Sequence, residues 1–280
     1  NTFSQASEVL GYDLWKMSQE GSQEQINLTE RTQPLLLSSS VAVWRVWMDK
    51  NGAMPAVLAG HSLGEWSALV CAGAVKFEDA VGIVRSRGAL MQDAVPVGIG
   101  AMAAIIGLDD ESICQSCADA RGDEVVDAVN FNAPGQVVIA GSADAVGRAI
   151  ELCKAAGAKR ALPLPVSAPF HTSLMAPAAE RLTEQVRSVT FSAPEIPVIH
   201  NVHGQSESDP AVIKKLMLEQ IYSPVRWVDC VLELRRRGAE QFVECGPGRV
   251  LSGLSKRINR EIVSFSTDDV ASLKNALATV

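Results

Sequence analysis

The stretch Pro55–Ala74 reads PAVLAGHSLGEWSALVCAGA. Its short apolar run, Ala56-Val57-Leu58-Ala59, has the length of a buried strand. Gly60-His61-Ser62-Leu63-Gly64 then turns sharply, and a helix-period segment runs from Glu65 to Ala72. Strand, G-x-S-x-G and helix in that order form a nucleophile elbow, whose glycines permit the strained turn that lifts the Ser62 hydroxyl off the sheet end. The helix N-terminus behind it offers unpaired backbone N–H groups, notably that of Leu63, to a developing oxyanion. The alternative is a packing turn that happens to contain a serine.

Working outward, the helix expected over Phe77–Ala94 places Ala80, Val84, Arg87 and Met91 on one stripe. Arg87 therefore lies on an apolar face, where an unpaired charge is costly. Either a structural Asp or Glu neutralises it, or it is a fork awaiting a ligand carboxylate. A serine nucleophile also needs a base, and the chain has four histidines. His61 adjoins Ser62 but projects away from it. His171, on the loop Val166–Met175 at a domain junction, reads as the base, or else as a helix cap. His200 and His203 form H-x-x-H with no third ligand evident, and read as polar residues at a strand end rather than a metal pair.

Upstream, the chain enters what looks like helix or loop, and Gln33–Lys50 reads as a helix with the stripe Leu36, Val43, Trp44, Trp47. From Gly98 to Ser167 the order is β-α-β-β-α-β, the ferredoxin-like pattern. The expected fold class is α/β: a hydrolase-like large domain with a parallel sheet (1–97 plus 168–280) and a small inserted ferredoxin-like domain (98–167). Short strands are expected at Ile196–Ile199 and Gln241–Cys245. The second turns through Gly246-Pro247-Gly248, which could hold an anion or simply pack.

Composition bounds the function. The chain has 280 residues, 47% hydrophobic and 20% charged, in the range of a globular enzyme. A net charge of -7 argues against nucleic acid or an anionic membrane as the main partner. No apolar run approaches the ~18 residues of a spanning helix, and no signal peptide opens the sequence. Cys71, Cys114, Cys117, Cys153, Cys230 and Cys245 are scattered through apolar segments, which fits reduced thiols in a cytoplasm. Cys114-x-x-Cys117 lacks a second pair, so no metal site is expected.

With these residues placed, the chain resembles the malonyl-CoA:acyl-carrier-protein transacylases of fatty acid synthesis. The likeness lies in GHSLGE (60–65), NFNAPGQVVIAG (130–141), PFHTSLM (169–175), QIYSPVRW (220–227) and ECGPGRVLSGL (244–254), in the family's order. It implies that Ser62 carries the acyl group and that His171 is its base, oriented by the main-chain carbonyl of Gln220. It implies that Arg87 clamps the malonyl carboxylate and that His61 lines the acyl pocket. Asn130, Asn132 and Gln136 would border the pantetheine and nucleotide channel. Phe170 is similar to its counterpart in malonyl-selective members. Malonyl-CoA and acyl carrier protein would be the partners, with coenzyme A thioester as substrate, no cofactor, and a monomer in the cytoplasm.

The family's opening strand and G-Q-G-S-Q, whose Gln donates a second oxyanion hydrogen bond, have no counterpart here. Such a donor is worth ~10²–10³ in rate, and the intact protein is expected to possess it. The rival readings are a serine esterase or thioesterase, an acyltransferase of polyketide synthesis, and a non-catalytic acyl- or carrier-binding module. Lys159, Arg160, Lys256 and Arg257 could meet an acidic partner or form a solvated face.

Overall fold

The computed structural model describes every residue from Asn1 to Val280 except Ser167. The expected domain boundary at Ser167 falls outside the described residues. Eight strands occur among them: β1 (Leu58–Ala59), β2 (Gly100–Ile106), β3 (Val126–Ala133), β4 (Gln136–Ser142), β5 (Arg160–Pro163), β6 (Val198–Ile199), β7 (Gln241–Glu244) and β8 (Val263–Ser266).

β1 pairs parallel with β6, and β7 parallel with β8. The remaining strands form an antiparallel sheet in the order β3-β4-β2-β5. Two helices, Asp110–Arg121 and Ala143–Ala155, connect its strands as crossovers. Their apolar faces and the sheet bury Ile105, Ile113, Val137, Ile139 and Ala149 together.

The elbow strand is shorter than Ala56–Ala59, and its partner shorter than Ile196–Ile199. Leu58 N–H reaches the Pro197 carbonyl at 2.8 Å, but Pro197 has no N–H to return, so the ladder starts there. β5 ends at Pro163, although Leu164 N–H still reaches the Met102 carbonyl at 2.9 Å.

Around the elbow the chain is helical. The helix Leu63–Cys71 packs against Thr29–Asp49 and Phe77–Asp93 over a core that includes Trp66, Leu69, Ile83 and Val84. Each such side chain contributes roughly 1.5–3 kcal/mol on burial. Gly88 lets two of these helices touch, since a Cβ there would lie 2.4 Å from the Thr29 carbonyl oxygen.

The Thr29–Asp49 helix starts four residues earlier than expected, with Pro34 inside it. Its packed face carries Gln33, Leu37 and Val41, while Leu36, Val43, Trp44 and Trp47 line a cavity of about 640 Å³. β1 and β7 border the same cavity.

The antiparallel sheet is fastened to the rest through β3. Phe131 N–H reaches the Val225 carbonyl at 3.0 Å, and Val225 N–H reaches the Val129 carbonyl at 2.8 Å. This places β3 beside the helix Trp227–Arg236 and brings Asn132 to the elbow.

Candidate active site

Ser62 sits at the tip of the turn with φ 50° and ψ −106°, a conformation that costs about 1–3 kcal/mol in a residue with a side chain. Asn201, just past β6, braces it. Asn201 Oδ1 accepts from the Ser62 N–H at 2.7 Å, and its Nδ2 donates to the Gly60 carbonyl at 2.8 Å. Gly60 is indispensable for the turn, because a Cβ there would lie 2.0 Å from the Gly64 carbonyl. Ser62 N–H is thus occupied. Leu63 opens the helix, so its N–H has no partner within the helix and points out of the helix end.

Ser62 Oγ lies 2.9 Å from His171 Nε2. His171, buried and itself at φ 66°, comes from the loop ahead of the helix Ala176–Ser188. Its Nδ1 donates to the Gln220 main-chain oxygen at 2.8 Å. A carbonyl only accepts, so the ring proton sits on Nδ1 and the Nε2 lone pair faces the Ser62 hydroxyl. Burial and then the Arg87 charge push the His171 pKa down to about 3. The imidazole is therefore neutral, and able to accept a proton, throughout the physiological range.

Arg87 is fully within the core, and its stripe neighbours Ala80, Val84 and Met91 are buried with it. Nη1 donates to Gln33 Oε1 at 2.7 Å, while Nη2 donates to Gln220 Oε1 at 2.9 Å and to Ser62 Oγ at 3.1 Å. Nε finds no partner among the described residues. Among the described residues Arg87 forms no ion pair, so a structural counter-ion in direct contact is not what holds it. Burial lowers its pKa to about 10, against the opposing charge of Glu65. The guanidinium keeps its charge, with donors to spare beside the hydroxyl.

His61 Nε2 meets Asn132 Oδ1 at 2.8 Å, and its ring lies 5.6 Å from that of Trp227. Burial lowers its pKa. His61, Leu63, Gly64, Asn132 and Trp227 all border the 640 Å³ cavity, whereas Ser62, His171 and Arg87 do not. Asn130 Oδ1 is buried with no partner among the described residues. Gln136 lies away from this group, accepting from Arg257 Nη1 on the helix after Gly246-Pro247-Gly248. Of the H-x-x-H pair, His200 is buried against Glu65 and His203 accepts from Gln205 N–H. No group of three metal-ligating side chains occurs among the described residues.

Three residues belong to this constellation although the sequence pattern does not single them out: Gln33, Glu65 and Asn201. Gln33 carries the one usable signal, a polar residue four before Leu37 on a helix face that turns out to be buried.

Comparison with known proteins places the chain. Residues 6–273 match the acyl transferase domain family. The malonyl CoA-acyl carrier protein transacylase of Salmonella typhimurium is 53% identical over 99% of this chain and 89% of its own length. That of Bacillus subtilis is 45% identical over 99% of this chain and 88% of its own. The crystal structure of an acyl carrier protein S-malonyltransferase from Vibrio cholerae superposes with a TM-score of 0.96 at 58% identity, covering 98% of this chain and 90% of that one. A malonyl-transacylase solved in complex with a type II PKS acyl-carrier protein gives 0.98 at 51% identity, covering 100% and 90%.

Proposed function

The chain belongs to the acyl transferase domain family, and from that premise we propose a malonyl-CoA:acyl-carrier-protein transacylase of fatty acid synthesis. Its substrate is a coenzyme A thioester. The observation that carries the reading is a single hydroxyl, Ser62 Oγ, within hydrogen-bond reach of both a neutral imidazole and a cationic guanidinium.

Transfer proceeds in two halves. Ser62 Oγ attacks the malonyl carbonyl carbon as His171 Nε2 takes its proton. The Leu63 N–H stabilises the oxyanion. The C–S bond breaks, and the departing sulfur takes the proton back from His171. The phosphopantetheine thiol of the carrier protein then gives its proton to His171 and attacks the malonyl-Ser62 ester, and Ser62 leaves with that proton.

Arg87 binds the free malonyl carboxylate. Its unpartnered Nε supports this role, because a desolvated donor gains most from a charged acceptor. An acetyl group would leave it unsatisfied, which discriminates more strongly than shape alone. Gln220 orients His171. Of the residues proposed for the channel, Asn132 has the stronger support, being joined beside the elbow to His61 of the proposed acyl pocket, and Gln136 the weaker.

We read the chain as a large unit, 1–97 plus 168–280, holding an inserted unit, 98–167, whose separate sheet supports the division. Ser62, His171 and Arg87 all come from one chain, which supports a working monomer. Six unpaired thiols support the cytoplasm, and no helix of the described residues is long and apolar enough to cross a membrane. A polyketide-type carrier is a second candidate acceptor, on the strength of the complexed neighbour.

Mass spectrometry after mixing with malonyl-CoA tests the reading. A malonyl adduct on Ser62 that disappears when carrier protein is added supports it. Release of free malonate instead would identify a thioesterase, and absence of any adduct a binding module.

A further inference from the structure

Beneath the elbow lies a buried carboxylate that the transfer steps leave idle. Glu65, the third residue of the helix Leu63–Cys71, has no exposed surface. Its Oε1 accepts from His200 Nδ1 at 2.7 Å. Its Oε2 accepts from Asn201 N–H at 3.0 Å and from Gln220 Nε2 at 2.6 Å. Three donors on one buried carboxylate, at a helix N-terminus, satisfy the charge that burial would otherwise penalise.

What this carboxylate touches is more telling than its own stability. A carboxylate has only acceptors, so the Gln220 carboxamide can meet it only with its NH₂ end. The carbonyl end, Oε1, is thereby turned toward Arg87 Nη2 at 2.9 Å. Gln220 also presents its main-chain oxygen to His171. Asn201, whose N–H Glu65 holds, braces the Ser62 N–H through its own side chain. One side chain thus reaches the Ser62 backbone, the imidazole and the guanidinium, each at one remove.

The intervening amide also keeps two opposite charges apart. In direct contact, Glu65 and Arg87 would satisfy each other and leave little for a ligand carboxylate. With Gln220 between them, Arg87 meets, among the described residues, only the neutral oxygens of Gln33, Ser62 and Gln220.

We propose that Glu65 is a positioning residue for substrate selection: acting through Gln220, it fixes the amide that holds Arg87 ready for the malonyl carboxylate while keeping the guanidinium free of a counter-ion. This rests on the transfer reaction proposed above. A glutamine at 65 can offer either end to Gln220, so the carboxylate's hold on the amide is lost and only the Ser62 carbonyl, 3.0 Å from Gln220 Nε2, and Arg87 itself still orient it.

The test compares malonyl-CoA with acetyl-CoA as donors for Glu65→Gln, with wild-type protein as control. Glu65→Gln should raise KM for malonyl-CoA about tenfold or more, the effect of losing one charge-assisted hydrogen bond. Acetyl transfer should change far less, so the malonyl-to-acetyl ratio of kcat/KM falls. Equal loss on both donors, or no loss, would overturn the proposal, since general structural support would not distinguish them. Should Glu65→Gln not fold, Glu65→Asp carries the same comparison. It retains the charge but withdraws by one methylene from Gln220; a lowered ratio supports the proposal and an unchanged ratio overturns it. Failure of wild type to transfer malonyl would instead defeat the underlying function.

Discussion

His171 Nδ1 and the main-chain oxygen of Gln220 lie 2.8 Å apart, so the imidazole is oriented by a peptide carbonyl rather than by a carboxylate. Among the described residues no anion stands directly behind the ring to raise its pKa, while burial and Arg87 lower it to about 3. The pH profile of kcat/KM, which reports the free enzyme, should accordingly show no acid limb near pH 6.5. Removing Arg87 takes away the second largest of the depressing influences, so Arg87→Ala should move the acid limb upward. A wild-type limb at an ordinary histidine pKa would contradict this assignment. His171→Ala should lower acylation of Ser62 by on the order of 10²–10⁴, measured as the rate of adduct formation.

Arg87 has donors to offer a carboxylate, each worth about 1.5–3 kcal/mol when charge-assisted. Losing two such bonds corresponds to on the order of 10²–10⁴ in malonyl kcat/KM. Arg87→Ala should show a loss in that range with a relaxed preference among acyl groups. Steady-state kinetics with malonyl-CoA and acetyl-CoA check it, and an unchanged preference would refute the clamp.

The elbow and the Arg87 stripe were legible because both are local. Two glycines flanking a serine after an apolar run specify a turn, and the stripe positions Ala80, Val84, Arg87 and Met91 are all buried. The support beneath was not legible. Glu65 in the first turn of a helix reads as an ordinary response to the helix dipole. Only bonds spanning 136 and 155 residues reveal it as the anchor of Asn201 and Gln220. The stripe Leu36, Val43, Trp44 and Trp47 on Thr29–Asp49 does share one face, but the helix has a second, packed face that the stripe does not reveal. Leu36, at 39% exposure, belongs to the one facing the cavity, and Gln33, at 5%, to the packed one.

Gly60 offers a test that removes no functional group. A Cβ there would meet Gly64 C and O at 2.0 Å and Glu65 N at 2.5 Å, all of them backbone atoms that cannot rotate away. Gly60→Ala must therefore displace the turn that carries Ser62. Misplacing a nucleophile by ~1 Å can lower the rate ~10²-fold, so malonyl transfer should fall at least that far. Circular dichroism and kinetics on the same preparation check this; near-normal turnover would mean that the turn tolerates relaxation.

His171 also sets a pH dependence of stability. Folded, it resists protonation down to about pH 3, whereas its ordinary value is 6.5. Between those limits the unfolded chain binds more protons than the folded one, so stability rises with pH across the window and is lost as pH falls through it. The full contribution is present above pH 6.5. One such group gives a slope approaching ~1.4 kcal/mol per pH unit in the middle of the window. His171→Gln should remove that slope while His61, also depressed by burial, retains its own. Urea midpoints at pH 7, 6, 5 and 4 measure it: the variant's curve should be flatter than that of wild type, and parallel curves would mean that His171 is protonated in the folded state well above pH 3.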